Sequence, residues 1–226
     1  VQSGMLLREG NRRLLIDCGS GVLHRLAGTE AGVAGVDAVL LTHLHLDHVA
    51  DLLPLYKARW LAEAEGLTVV GPSGTRALLD DLFDAFEYLD GRLPIAVREI
   101  EAGSTTVAGF EVTATPTRHS LPGFAYRFDD ALTVSGDTQE FEGLIDFAEQ
   151  GSVLIHDCSF PDDVSASAHT TPSKLARVLE GAALDRVYLT HLYPQTDGTH
   201  ATMVDTIERA FDGEVQVAAD GMTVGV

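Results

Sequence analysis

The stretch VDAVLLTHLHLDHVADLLPL, residues 36–55, decides how this chain is read. Its first half, VDAVLLT, is a nearly continuous apolar run, the pattern of a strand covered on both faces. Three histidines and an aspartate then fall within six residues: His43, His45, Asp47 and His48. Helical spacing follows from about Val49 to Glu65. A strand holds its last residues rigidly, and the loop behind it projects side chains into the crevice at the carboxyl edge of the sheet. Imidazole nitrogen and carboxylate oxygen in that position suit a borderline cation such as Zn²⁺. Two histidines two residues apart can bind one ion, and the adjacent Asp-His pair can face a second. The bland alternative is a helix start that happens to be histidine-rich. Four ligand-type side chains in six residues, directly behind an apolar strand, argue against it.

Outward from this stretch, strands and helices alternate. Residues 4–19, GMLLREGNRRLLIDCG, read as a hairpin turning at Glu9-Gly10-Asn11. Residues 20–28 read as a short helix with Ser20 as N-cap and Gly28 as its stop. On the far side, LTVVG (67–71) is a strand. Residues 72–89 form an amphipathic helix whose apolar stripe is Leu78, Leu79, Leu82, Phe83, Phe86 and Leu89. Short strands with Gly and Pro punctuation fill 95–134. Helices at 140–150, 171–182 and 201–211 then alternate with strands at 152–157, 186–191 and 214–220. The two halves share one order, strands first and then helices between strands. That predicts two mixed sheets face to face with helices outside.

With 226 residues, 45% of them hydrophobic, the chain can bury the core of one domain spanning residues 1–226. No apolar run reaches the roughly 18–20 residues that cross a bilayer. No leader peptide is visible, although the chain begins at Val1 rather than Met, so missing N-terminal residues are expected. A cytoplasmic location follows as the expectation. The net charge is −19, and Lys57 and Lys174 are the only lysines. Such a surface repels nucleic-acid backbones at ordinary salt and fits a salt-rich cytoplasm that screens its self-repulsion. Cys18 and Cys158 each end an apolar run and read as small core residues rather than a disulfide framework.

His43-Leu44-His45-Leu46-Asp47-His48 resembles the H-x-H-x-D-H motif of the metallo-β-lactamase superfamily, whose fold is a four-layer αββα sandwich. Later residues appear in the expected order: His119 in PTRHSLPGFAYRF, Asp137 in TVSGDT and His191 in VYLTHL, each behind an apolar run. The resemblance implies two divalent metal ions, with Zn²⁺ favoured and Mn²⁺ or Fe²⁺ as alternatives. His43, His45 and His119 would hold the first, Asp47, His48 and His191 the second, and Asp137 would bridge them. Iron-dependent redox relatives carry a glutamate where this chain has His45. The strand and glycine-rich turn that open the family fold have no counterpart before SGMLL. Asp17, at the end of LLID, is the candidate carboxylate behind a metal-bound histidine.

Two such ions activate a shared water, so the expected reaction is hydrolysis. Phosphodiester, lactone, thioester and β-lactam bonds are all cleaved on this fold. Residues 152–182, SVLIHDCSFPDDVSASAHTTPSKLARVLEGA, are similar to the ribonuclease Z branch, where a strand ending in an acid precedes a loop bearing a catalytic histidine. That histidine would be His169, with Asp157 orienting it, and Asp47 and His169 are the candidate catalytic residues. The plain reading of the same stretch is a helix start capped by Thr170 or Thr171 with Pro172 at N1. Between His48 and His119 the chain carries acidic ALLDDLFDAFEYLDG instead of the basic arm with which transfer-RNA processing enzymes grip RNA. A phosphodiesterase acting on a small phosphodiester or nucleotide is therefore expected. Lactone or thioester hydrolysis and transfer-RNA 3′ processing are the alternatives, with folded RNA disfavoured. No membrane partner is expected, and related folds make a homodimer the expected assembly.

Overall fold

The computed structural model describes residues 2–149 and 151–226. Val1 and Gln150, the last residue of the helix expected over 140–150, lie outside the described residues. The chain divides into two compact units, Val1–Glu101 with Thr106–Phe110, and Ala102–Thr105 with Glu111–Val226.

The first unit is built on a mixed five-stranded sheet. Strands β1 (Met5–Glu9) and β2 (Arg12–Ile16) form the expected hairpin around Gly10-Asn11, with Gly10 at φ 55°. Strands β3 (Ala38–Leu40), β4 (Leu67–Gly71) and β5 (Ile95–Glu99) follow side by side, each parallel to its neighbour, in the order β1-β2-β3-β4-β5. Leu15, Val39, Leu41 and Val69 on one face pack with Val22 and Leu26 of α1 (Val22–Ala27), Leu52, Leu55 and Tyr56 of α3 (Leu52–Leu61), and Leu79 of α4 (Thr75–Ala85). Each fully buried leucine contributes about 1.5–3 kcal/mol. Leu14, Ile16, Ala38, Leu40 and Val70 alternate with these and are equally buried, so β2, β3 and β4 read as continuous apolar runs.

Three local expectations are corrected here. The cap of α1 is Gly21 in the left-handed conformation (φ 89°), not Ser20. Its N–H and that of Leu23 donate to the Asp51 carboxylate, which does the work a serine cap would have done. The helix expected over 49–65 is α3, Leu52–Leu61, which starts after a break at Asp51 and is preceded by a separate short helix, α2 (Leu46–Val49). Phe86 leaves the apolar stripe: α4 ends at Ala85, and Phe86, at φ −130°, turns outward and is exposed.

The second unit carries a seven-stranded mixed sheet in the order β12-β11-β10-β9-β8-β7-β6. Strands β6 (Gly103–Val107), β7 (Phe110–Pro116), β8 (Phe124–Phe128) and β9 (Leu132–Val134) come first, with β7, β8 and β9 antiparallel in turn. Then β10 (Val153–Asp157), β11 (Arg186–Thr190) and β12 (Glu214–Val217) run parallel to β9. Leu154, Val187, Leu189 and Val215 pack against α5 (Glu142–Ala148), α6 (Pro172–Leu179) and α7 (His200–Glu208) through Ile145, Leu175, Leu179, Met203 and Ile207. Both cysteines are free thiols in these cores, and burial raises the pKa of each well above its ordinary value. No helix among the described residues is long and apolar enough to cross a membrane.

Candidate metal centre

In the first unit, the ends of β2 and β3 meet. Asp17 follows β2 directly, is buried, and adopts φ 59°, a left-handed backbone uncommon outside glycine. Its N–H donates to the Leu40 carbonyl, which continues the β2–β3 ladder. One carboxylate oxygen, Oδ1, accepts the Thr42 N–H at 2.7 Å. The other, Oδ2, accepts the Thr42 hydroxyl at 2.8 Å and His48 Nδ1–H at 2.7 Å. A carboxylate only accepts, so His48 carries its proton on Nδ1 and presents the Nε2 lone pair. The Thr42 hydroxyl, having spent its hydrogen on Asp17, accepts His43 Nδ1–H at 3.1 Å, which turns His43 Nε2 outward in the same way. His43 Nε2 lies 3.0 Å from His45 Nδ1, and His48 Nε2 lies 3.8 Å from Asp47 Oδ2. The two imidazoles of one pair and the Asp-His pair are thus each already gathered. Buried His43 and His48 are braced from behind by one aspartate and one threonine.

The motif is held at its backbone too. Cys18 N–H donates to the His48 carbonyl, Ser3 N–H to the Asp47 carbonyl, and Asp51 N–H to the Cys18 carbonyl. Gly19 packs so closely here that a Cβ would sit 1.9 Å from the Asp47 carbonyl oxygen.

In the second unit, four loops at strand ends bring together His119, Asp137, Asp157, His169 and His191. His119 follows β7, and its Nδ1–H donates to the Ala168 carbonyl at 2.8 Å, leaving Nε2 3.9 Å from Asp137 Oδ2. Asp137 follows β9 after Ser135 and Gly136 and is buried. Asp157 ends β10 and is fully buried. Its Oδ1 accepts the Ser159 N–H at 3.0 Å and hydroxyl at 2.6 Å, and its Oδ2 accepts the Thr138 N–H at 3.1 Å and His169 Nδ1–H at 2.8 Å. The Ser159 hydroxyl therefore accepts His191 Nδ1–H at 3.0 Å. His191 Nε2 then faces Asp137 Oδ2 at 3.2 Å. His191, like Asp17, is a non-glycine residue at φ 59° at the end of a strand, where held strain marks sites of function.

Two nitrogen lone pairs, on His119 and His191, thus face the carboxylate oxygen of buried Asp137. A divalent cation is the group that satisfies such a set of acceptors. The donor chemistry fits: neutral imidazole and carboxylate, with each histidine tautomer fixed by a partner behind it. These His/Asp clusters can hold metal ions. The ligand atoms of Asp157, His169 and His191 also lie within 4.8 Å of one another. The Nδ1 atoms of His169 and His191 are taken up by Asp157 and Ser159, which brace the two rings.

The family model described as the β-lactamase superfamily domain matches residues 12–192. The chain belongs to the metallo-β-lactamase superfamily. Among its relatives, ribonuclease Z of Mycobacterium marinum is 31% identical over 220 aligned residues, covering 84% of this chain and 79% of that one. The probable metallo-hydrolase YhfI of Bacillus subtilis is 29% identical, covering 97% of this chain and 90% of that one. The crystal structure of YhfI, a metallo-β-lactamase fold protein, superposes with a TM-score of 0.83 at 28% identity, over 98% of this chain and 90% of that one. Human tRNase Z, short form, shares the fold with a TM-score of 0.77 at 20% identity, over 99% of this chain and 92% of that one. As a superfamily member with metal-binding His/Asp clusters, this protein is a metal-dependent hydrolase.

Sequence reasoning missed Thr42, Ser159 and Thr138. Thr42 was readable as a polar residue at the end of an apolar strand, next to the histidine motif. Ser159 and Thr138 carried no signal, because their role exists only once β9, β10 and β11 are side by side.

Proposed function

We propose that the protein is a phosphodiesterase using two divalent ions, with Zn²⁺ favoured, in which His169 protonates the leaving oxygen. His43, His45 and His119 would hold one ion and Asp47, His48 and His191 the other, with Asp137 a ligand available to both. Two ions bound there would supply a water activated at neutral pH and offset the charge of the phosphate. The observation that carries the reading is the Asp157–His169 pair. Asp157 is fully buried and accepts His169 Nδ1–H at 2.8 Å, so the ring is fixed, and in its doubly protonated form Nε2 carries the proton that goes to the leaving oxygen. A phosphodiester needs that service: as the attacking water's oxygen bonds to phosphorus, the P–O bond to the leaving alcohol breaks, and an alkoxide leaves poorly without a proton. Lactone and thioester cleavage has less use for it. Asp47 contributes as a ligand close to His48 Nε2, at 3.8 Å.

A small or nucleotide substrate fits better than folded RNA. The stretch between His48 and His119 forms α4 with Asp80, Asp81 and Asp84 on its exposed side, an acidic surface that a polyanion avoids. The likeness to ribonuclease Z of M. marinum favours RNA cleavage as the second reading, with transfer-RNA 3′ processing as its form. The two free, buried thiols suit a reducing, cytoplasmic location.

The test is a panel of an alkyl phosphodiester, an activated aryl phosphodiester, a lactone, a thioester and a precursor transfer RNA, with wild type and His169→Ala. Turnover of the alkyl diester is expected to fall by about 10²–10⁴-fold in His169→Ala. The aryl diester, whose leaving group needs no proton, should fall much less. Lactone turnover indifferent to the substitution, with no diester cleaved, would overturn the reading, and efficient cleavage of precursor transfer RNA alone would establish the second one.

A further inference from the structure

We infer that Phe160 and Tyr193 form a stacking platform for the base of a leaving nucleoside, which makes the substrate a phosphodiester with a nucleoside on its leaving side. This deepens the phosphodiesterase reading and rests on it. The two rings stack at 4.7 Å between centroids and 24° between planes. Phe160 follows Ser159, the serine that holds Asp157 and His191, and Tyr193 lies two residues after His191. The Tyr193 N–H donates to the Ser159 carbonyl at 3.1 Å, so the loops after β10 and β11 present the two rings together.

The platform borders the proton donor directly. His169 meets Phe160 edge-on at 5.9 Å and Tyr193 edge-on at 5.8 Å, and Tyr193 lies 5.5 Å from His191. Both aromatic rings are half-buried. Two stacked rings kept partly in water beside a catalytic imidazole offer a flat apolar surface where the leaving group departs. The charge of the chain narrows the ligand further. A net charge of −19 disfavours binding through many phosphate contacts, whereas stacking on a base needs no positive charge. Every base has a π-face, so the platform selects for a nucleoside without selecting one base strongly.

The experiment uses the zinc-loaded full chain, its Phe160→Leu and Tyr193→Leu variants, and the ring-conserving Phe160→Tyr and Tyr193→Phe variants. Calorimetry measures the Kd of adenosine 5′-monophosphate and of ribose 5-phosphate. Steady-state kinetics measures KM and kcat for a dinucleoside phosphate and for the methyl ester of the same 3′-nucleotide. Wild type is expected to bind the nucleotide about 5- to 150-fold more tightly than the base-free sugar phosphate. The leucine variants should lose most of that difference and raise KM for the dinucleoside by a similar factor. Their KM for the methyl ester should change far less than that for the dinucleoside, and the ring-conserving variants should keep the discrimination of wild type. Equal binding of the two phosphates by wild type, or leucine variants that impair both diesters equally, would overturn the platform while leaving the phosphodiesterase standing. Base-dependent nucleotide binding through the pair, in a protein that cleaves no diester, would support the platform and sink the phosphodiesterase reading instead.

Discussion

Asp17 shows how much of the chemistry is set one atom behind the metal ligands. Its two oxygens accept three hydrogen bonds, from Thr42 N–H, the Thr42 hydroxyl and His48 Nδ1–H, and so fix two imidazole tautomers at once. Asp17→Asn exchanges one acceptor oxygen for a donor and loosens both rings. Zinc affinity should fall by about 10–100-fold, as read by competition with a chelating dye. Unaltered affinity would remove Asp17 from the site. His156 makes a different prediction. It is fully buried, its Nδ1–H donates to the Asp157 carbonyl at 2.6 Å, and its Nε2 meets no hydrogen-bond partner among the described residues. Burial lowers its pKa, against weaker opposing contributions from that hydrogen bond and from Asp157 and Glu140. The unfolded chain therefore takes up this proton first. Its contribution to stability is complete above the unfolded pKa of about 6.5 and is lost as pH falls below that value toward the folded pKa. Urea unfolding of wild type and His156→Met between about pH 7.5 and 5.5 should show wild type losing stability faster, approaching about 1.4 kcal/mol per pH unit. A difference that does not change with pH would contradict it.

At the scale of elements, the site is a property of strand ends. Asp17, Asp137, Asp157, His119 and His191 each lie at or just past the end of a strand, and Asp17 and His191 hold left-handed backbone there. The short helix α2, only four residues, is too short to stand alone. It is held by backbone hydrogen bonds from Ser3 and Cys18 and by the close fit of Gly19. Gly19→Ala puts a methyl group against the Asp47 carbonyl, so the backbone must move. A loss of about 1–3 kcal/mol in stability is expected by denaturant unfolding, together with weaker metal binding. Full stability in that variant would mean that the Asp47 loop is not seated on Gly19.

For the whole molecule, what was legible in the sequence and what was not divide along a physical line. The apolar runs of β2, β3, β4, β10 and β11 and the histidines behind β3 could be read because strand burial and ligand chemistry both leave compositional marks. The break at Asp51, the Gly21 cap and the outward turn of Phe86 could not, since each depends on a partner distant in the chain or on where a helix stops. Ser159 was silent for the same reason: its hydroxyl matters only because β10 and β11 pair in register, which sets it between Asp157 and His191. The claim on which the rest depends is that the histidines behind β3 and the residues gathered around Asp137 share two cations. Anomalous diffraction at the zinc edge, on crystals grown with zinc, tests it most directly. Two peaks about 3.5–4 Å apart are expected, one touching His43, His45 and His119, the other Asp47, His48 and His191, with Asp137 between them. Crystals that show no zinc there, or a single ion held by only one of the two groups of residues, would contradict it.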